Sequence, residues 1–205
     1  MGVVDAVSYL KLGHVFVANM TGNVVSLGFG IAGARGLSSA ASLVAIASFL
    51  IGGLAGDRFG ARLGEDRAGI LRGTIVVQLG CVVVAVVVAG LAGGQIGDGS
   101  RYMLIVLLAT AMGIQNAAAR RLAVPDLTTT VLTLTLTGIA PDSRLAGGSE
   151  SKVGRRLLSV AAMLIGALSG ALLVLRVANW VPLALASALL TSVGLAAHRA
   201  APELH

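Results

Sequence analysis

Charge is scarce in this sequence. Only 12% of its 205 residues are charged and 3% are aromatic, against 56% hydrophobic and a mean hydropathy of +0.92. A soluble domain carries about 25% charged residues, so the composition points away from water and towards a bilayer. Cys81 is the single cysteine, which leaves neither a disulfide framework nor a thiolate metal cluster. No Walker A loop, HExxH helix or GxSxG elbow occurs, so ATP-driven transport and zinc proteolysis have no residues to carry them. The opening Met1, Gly2, Val3, Val4, Asp5 has no basic start and no long apolar core, so no cleavable signal peptide is expected. Ala6 stands where N-myristoylation wants Ser or Thr.

Long uncharged apolar runs are what the chain has in quantity. They cover Leu37 to Gly56, Gly73 to Ile96, Tyr102 to Ala119, Leu157 to Leu175 and Val177 to Ala197, each near the ~20 residues a helix needs to cross the hydrocarbon core. Barrel strands are shorter, about ten residues, and alternate in polarity; the expectation is an all-α polytopic transmembrane bundle. The net charge of +6 and pI near 10.7 do not call for nucleic acid, because the basic residues fall mostly between the spans. They report topology. The partner implied is the lipid bilayer.

Two polar stretches interrupt the pattern. Asn19, Met20, Thr21, Gly22, Asn23 sits inside the run Val15 to Ala34, and Asp126, Leu127, Thr128, Thr129, Thr130, Val131, Leu132 lies about half a chain later. Side-chain amides and hydroxyls in a span must face protein or trapped water. The two stretches line up with each other, as Gly2 to Ala6 lines up with Gly113 to Ala117, which predicts an internal repeat: residues 1–96 and 102–197 of a single membrane domain. Counting the broken first element as one crossing puts Arg58, Arg62, Arg67, Arg72, Arg144, Lys152, Arg155, Arg156 and Arg199 on one side, against Arg35, Arg101 and Arg176, with Lys11, Arg120 and Arg121 falling at the breaks and counted on neither. Full crossing of the polar segments gives no such bias. The positive-inside rule therefore prefers about six membrane elements in two inverted three-element repeats, each with a broken or re-entrant polar segment, and both termini cytoplasmic. Pro125 would supply the interruption in the second repeat, Gly13 and Gly22 in the first. Residues 1–13 are too short to cross, and the first helix is expected to be truncated. The Asp57 to Arg72 stretch, with four arginines and three acids, reads as a solvated interfacial loop.

The runs Val4 to Leu10, Val15 to Asn23 and Met112 to Ala117 resemble the bacterial YoaK-like transmembrane family over essentially the whole chain. The resemblance implies a multi-pass protein of the cytoplasmic (inner) membrane and no particular activity. In that family a full apolar helix precedes the Val-Asp-Ala block, which this chain lacks.

Asp5, Asn19, Thr21 and Asn23, with Gln115, Asn116, Asp126, Thr128, Thr129 and Thr130, form the candidate polar centre, and Arg120 and Arg121 are its candidate charge partners. An acid near the bilayer centre costs roughly 2.5 to 3.5 kcal/mol on insertion scales, so Asp5 and Asp126 should avoid lipid. Either the centre binds a small polar solute or ion, as in secondary transporters with interrupted helices, or it only fixes helix packing through hydrogen bonds worth about 0.6 kcal/mol each. Arg120 and Arg121 would pair with Asp126, attract an anion or anchor the interface. His14 could relay protons or be a hydrogen-bonded structural residue, the second being preferred. Leu132 to Thr137 alternates like a strand yet also shares a helical face, with helix preferred. Gly52 with Gly56, Gly90 with Gly94, and Gly166 with Gly170 have the spacing for close helix packing, within the chain or across a homodimer.

Three matches are rejected. Gly28, Gly30 and Gly33 fit GxGxxG without a preceding strand, the Asn19 to Thr21 sequon lies in an apolar run, and Ser149 to Lys152 fits SxxK without its companion motifs. No nucleophile and base or metal-ligand set stands at usable spacing, so no enzymatic activity, cofactor or metal is expected.

Overall fold

The computed structural model describes residues 1–64, 66–122 and 151–200. These form seven helices: α1 (Gly2–Lys11), α2 (Met20–Ile31), α3 (Ser39–Leu63), α4 (Arg67–Ala92), α5 (Asp98–Arg121), α6 (Ser151–Arg176) and α7 (Val181–Ala200). The last five are long and apolar enough to cross a membrane. Leu50, Ile51, Val76, Leu91, Leu164 and Leu175 lie more than 60% exposed on them, which suits a bundle whose solvent is lipid. The protein is an all-α polytopic transmembrane bundle.

Helix ends follow local chemistry. The Ser38 hydroxyl caps α3 by accepting from Ala41 N–H at 3.2 Å, and Gly64 ends it at φ +60°, a conformation that costs glycine little. Asp66 then caps α4, accepting from Gly69 N–H at 2.8 Å. The stretch expected to be a solvated loop is therefore mostly helix, since α3 runs to Leu63 and α4 starts at Arg67. Asp57, Arg58 and Arg62 continue α3, and Arg67 and Arg72 continue α4, past the hydrocarbon core, because charged residues are compatible with a helix wherever water reaches its end.

Close approach of backbones sets the packing. Gly113 of α5 presses against Phe49 O and Gly53 N of α3, and Gly2 of α1 presses against Met163 O and Ala167 N of α6. Gly56 meets Ile114 and Ala117; Gly170 meets Val3 and Ala6. A shift of 111 residues (2 to 113, 3 to 114, 6 to 117) combined with one of 114 (49 to 163, 53 to 167, 56 to 170) carries these contacts of one interface onto those of the other. Lipid gives helices no hydrophobic reason to associate, so such small-residue contacts, which maximise dispersion, hold the bundle. Gly90 and Gly94 make no such contact, with open space where a Cβ would stand; the main-chain carbonyls of Gly93 and Gly94 instead accept from the Asn179 amide at 3.0 and 3.4 Å.

Contact order along each pair gives direction. α1 runs parallel to α6, α3 parallel to α5, and α4 antiparallel to α7, with Ile75 at Gly194 near one end and Asn179 at Gly93 near the other. Arg67 donates to Leu122 O, so α4 begins where α5 ends. This arginine-rich end carries Arg58, Arg62, Arg67, Arg72, Arg120 and Arg121. At the opposite end Lys11 shares a groove with Gly93, Gly94, Asn179 and Trp180.

Candidate functional site

The chain between α1 and α3 does not cross the bundle. After Lys11 it turns at Gly13 (φ +95°) and His14 (φ +58°), and residues 15–18 run back beside α1 until Val17 and Ala18 reach Asp5. Asp5 is six residues before Lys11, about 9 Å in depth at 1.5 Å per residue. From there α2 returns, and the 32–38 loop meets the starting point where Gly36 O lies 3.0 Å from His14 Nδ1. The segment enters and leaves by the same end. Its break is Leu12 to Asn19; Gly22, expected to share in the interruption, is helical, and its missing side chain makes room for the Phe16 ring, from which a Cβ at this position would stand only 2.8 Å away.

Two buried side chains hold this dip. Asp5 Oδ1 accepts from Val17 N–H at 3.0 Å and Ala18 N–H at 2.9 Å. Asn23 Oδ1 accepts from Phe16 N–H at 2.8 Å, and its Nδ2 donates to Phe16 O at 2.6 Å. Main-chain donors freed by a helix break must find partners at membrane depth, and these residues are the partners. Asp5 Oδ2 is buried without a hydrogen bond among the described residues. Tyr9 stacks on Phe16 at 4.9 Å and meets His14 edge-on at 5.2 Å, closing the outer side of the turn. Asn19 is the exposed N-cap of α2, and Thr21 is exposed.

Asp5→Ala is expected to strand two buried N–H groups, each worth about 1–3 kcal/mol when left unsatisfied, whereas Asp5→Asn keeps an acceptor in the same place. Thermal unfolding in detergent should show a large loss for the alanine variant and a small one for asparagine. Equal losses would mean that the carboxylate charge, not its acceptor geometry, holds the turn.

The residues of the later block scatter. Gln115 Oε1 accepts from Gln78 Nε2 at 2.7 Å, Asn116 Nδ2 bonds back to Met112 O at 2.9 Å, and Arg120 and Arg121 both turn to Asp57, at 3.1 and 3.8 Å. The last contacts tie the ends of α3 and α5 together at an exposed position, where an ion pair contributes about 0–1 kcal/mol; Asp57→Asn should accordingly shift the unfolding midpoint little, and less still in high salt. Asp126, Thr128, Thr129 and Thr130, like Pro125 and the alternating Leu132 to Thr137 stretch, lie outside the described residues.

Gln78 is the residue that pattern reading passes over. It is buried, and lies 11 residues into α4 (67 to 78), about 16 Å along the helix, which places it near mid-bilayer. With Gln115 it forms the polar wall of a cavity of about 130 Å³ where α1, α4, α5 and α7 meet; Val4, Val82, Met112 and Leu190 supply apolar wall. A single amide in the otherwise apolar stretch Ile75 to Ala92 was the available signal, since polar residues at that depth face the bundle interior.

Lipid-length helices around buried amides, with a dipping hairpin at one end, define a multi-pass membrane protein. The family model described as "Protein of unknown function (DUF1275)" matches residues 1–196, and the chain belongs to that family. It is 32% identical over 141 residues to the UPF0700 transmembrane protein YoaK of Bacillus subtilis (strain 168). That alignment takes in 69% of this chain and 61% of the relative, so the chain covers less than two thirds of the relative's length. No solved structure matches the chain.

Proposed function

We propose that the chain is a small inverted-repeat membrane protein that passes a small polar solute between its two halves, with no enzymatic step. The observation that carries this reading is the reciprocal glycine packing of α1 on α6 and α5 on α3. Each matched pair runs in opposite directions: α1 against α5, α3 against α6, α4 against α7. Residues 1–96 and 102–197 are on this reading two copies of one unit within a single domain, related by an axis in the membrane plane. Secondary transporters use this arrangement, with broken elements near the midplane and access alternating as one half rocks on the other. The dip at Leu12 to Asn19 supplies one such element. The arginine-rich end, where α7 also finishes, would face the cytoplasm of a bacterial inner membrane by the positive-inside rule, whereas α1 begins within the bundle at the level of Gln78 and Gln115.

A second reading has its own observation. Asp5 and Asn23 spend their hydrogen bonds on the main chain of the turn, as they would in a scaffold whose polar groups only fix packing. Side-specific labelling separates the two. A single cysteine replacing Val82, in a Cys81→Ser background, is treated with a small membrane-impermeant thiol reagent in vesicles of each orientation. The transport reading expects slow labelling from both sides. Protection from both, while a cysteine at Arg67 labels from one, would leave the scaffold.

A further inference from the structure

The cavity at the meeting of α1, α4, α5 and α7 has a chemistry of its own, narrower than "small polar solute". Its two polar side chains are amides, and they spend one donor and one acceptor on each other: Gln78 Nε2 donates to Gln115 Oε1 at 2.7 Å. Gln78 Oε1 and Gln115 Nε2 make no other hydrogen bond among the described residues, and neither atom is a sealed, unsatisfied one. A free acceptor and a free donor therefore stand side by side at the cavity, one on each partner of the amide pair. No charged side chain lines the space, and Val4, Val82, Met112 and Leu190 make the remainder apolar.

Size narrows the occupant further. An engineered cavity of about 150 Å³ holds one benzene, so about 130 Å³ accommodates a molecule of roughly five or six heavy atoms. Charge is disfavoured, because no side chain there can neutralise it, the one charged main-chain group at the wall, the Met1 α-amino group, already interacts with the Asp5 carboxylate, and an unpaired ion in an apolar wall is expensive. A purely apolar guest would fill the space but leave both amide atoms unpaired, at the cost of their hydrogen bonds to water.

We infer that this cavity is a binding site for a small uncharged molecule that carries a donor and an acceptor next to each other, as a primary amide does, on a short apolar tail. The inference deepens the transport reading and rests on it for its meaning, since the cavity touches both halves: Met1 and Met112, which the 111-residue shift relates, both line it, as do Val4 and Gln115. The amide recognition itself does not depend on movement.

Propionamide is the probe, with propionate as its charged isostere and 2-butanone as the shape that lacks the donor. The Val82→Cys, Cys81→Ser protein in detergent is labelled with the thiol reagent while each compound is titrated. Propionamide should slow labelling several-fold and saturably; propionate and 2-butanone should do much less at equal concentration. Protection should vanish in Gln78→Leu/Gln115→Leu, whose fold is verified by its unfolding midpoint. Failure of propionamide to protect, protection by propionate in its place, or protection that survives the double substitution would each overturn the assignment. Vesicle labelling keeps the two ideas apart. Access from both sides without propionamide protection removes the ligand class and leaves the pathway, whereas propionamide protection with access from one side only removes the transport and leaves the site.

Discussion

Gly113→Leu is expected to eliminate the folded protein. A Cβ at this position already collides with Phe49 O and meets Gly53 N at 2.8 Å, both main-chain atoms that cannot turn aside as a side chain would. Relief requires α5 to back away from α3, the most extensive helix interface among the described residues, which close packing holds in lipid together with the Thr110 hydroxyl donating to Ser48 O at 3.4 Å and the Asp57 ion pairs at one end. Alanine alone should cost about 1–3 kcal/mol by overpacking; leucine adds three more carbons against the same wall and should exceed the margin of a marginally stable fold. Gly2→Leu should act in the same way on α1 and α6, where the partners are Met163 O and Ala167 N. Gly90→Ala is the control. It adds its methyl group to open space inside α4 and should stabilise by up to about 1 kcal/mol through helix propensity. The yield of monodisperse protein in detergent, with the thermal midpoint where protein survives, checks all three. A Gly113→Leu protein that unfolds near the parent midpoint would mean that the α3 and α5 backbones do not touch.

That contrast between glycines also marks where sequence reading stops. The spacing of Gly52 with Gly56, Gly166 with Gly170 and Gly90 with Gly94 is the same, yet the first two pairs meet another helix and the third meets none. Spacing places residues on one helical face; it carries no information on which face has a neighbour. The apolar runs, by contrast, were legible because twenty uncharged residues have few other physical uses, and the all-helical bundle follows from them. Their ends were not, since the Asp57 to Arg72 stretch stays helical on both sides of Gly64 once water can solvate its charges. The polar knot was visible as a group that must turn inward. Its division of labour was hidden: Asn23 and Asp5 bind a main-chain turn 7 to 13 residues away in sequence, while Thr21, two residues before Asn23 and so on the other side of α2, faces outward, and only the folded path of residues 12–19 decides that. Gln78 carries no motif at all, and its importance comes from Gln115 arriving opposite it.

The Gln78 and Gln115 pair should therefore behave non-additively. Gln78→Leu leaves the Gln115 amide facing an apolar side chain in a site with few other partners, and a stranded buried polar group costs about 1–3 kcal/mol. Gln115→Leu does the same to Gln78. The double substitution removes both halves of the bond and replaces them with apolar groups of similar size, a change that is near neutral or stabilising when the site is otherwise apolar. The expected cycle is two destabilised single variants and a double variant at or above the parent midpoint, with a coupling energy of about 1–3 kcal/mol. That outcome has a functional edge, because the parent then carries a pair of amides at mid-bilayer that a pair of leucines would replace without loss to the fold. Packing alone gives no reason for such a pair to be there; an uncharged guest that needs a donor and an acceptor does. If the double variant instead loses as much as the two singles together, the amides make separate contributions to packing, and the cavity they border loses its claim to a ligand.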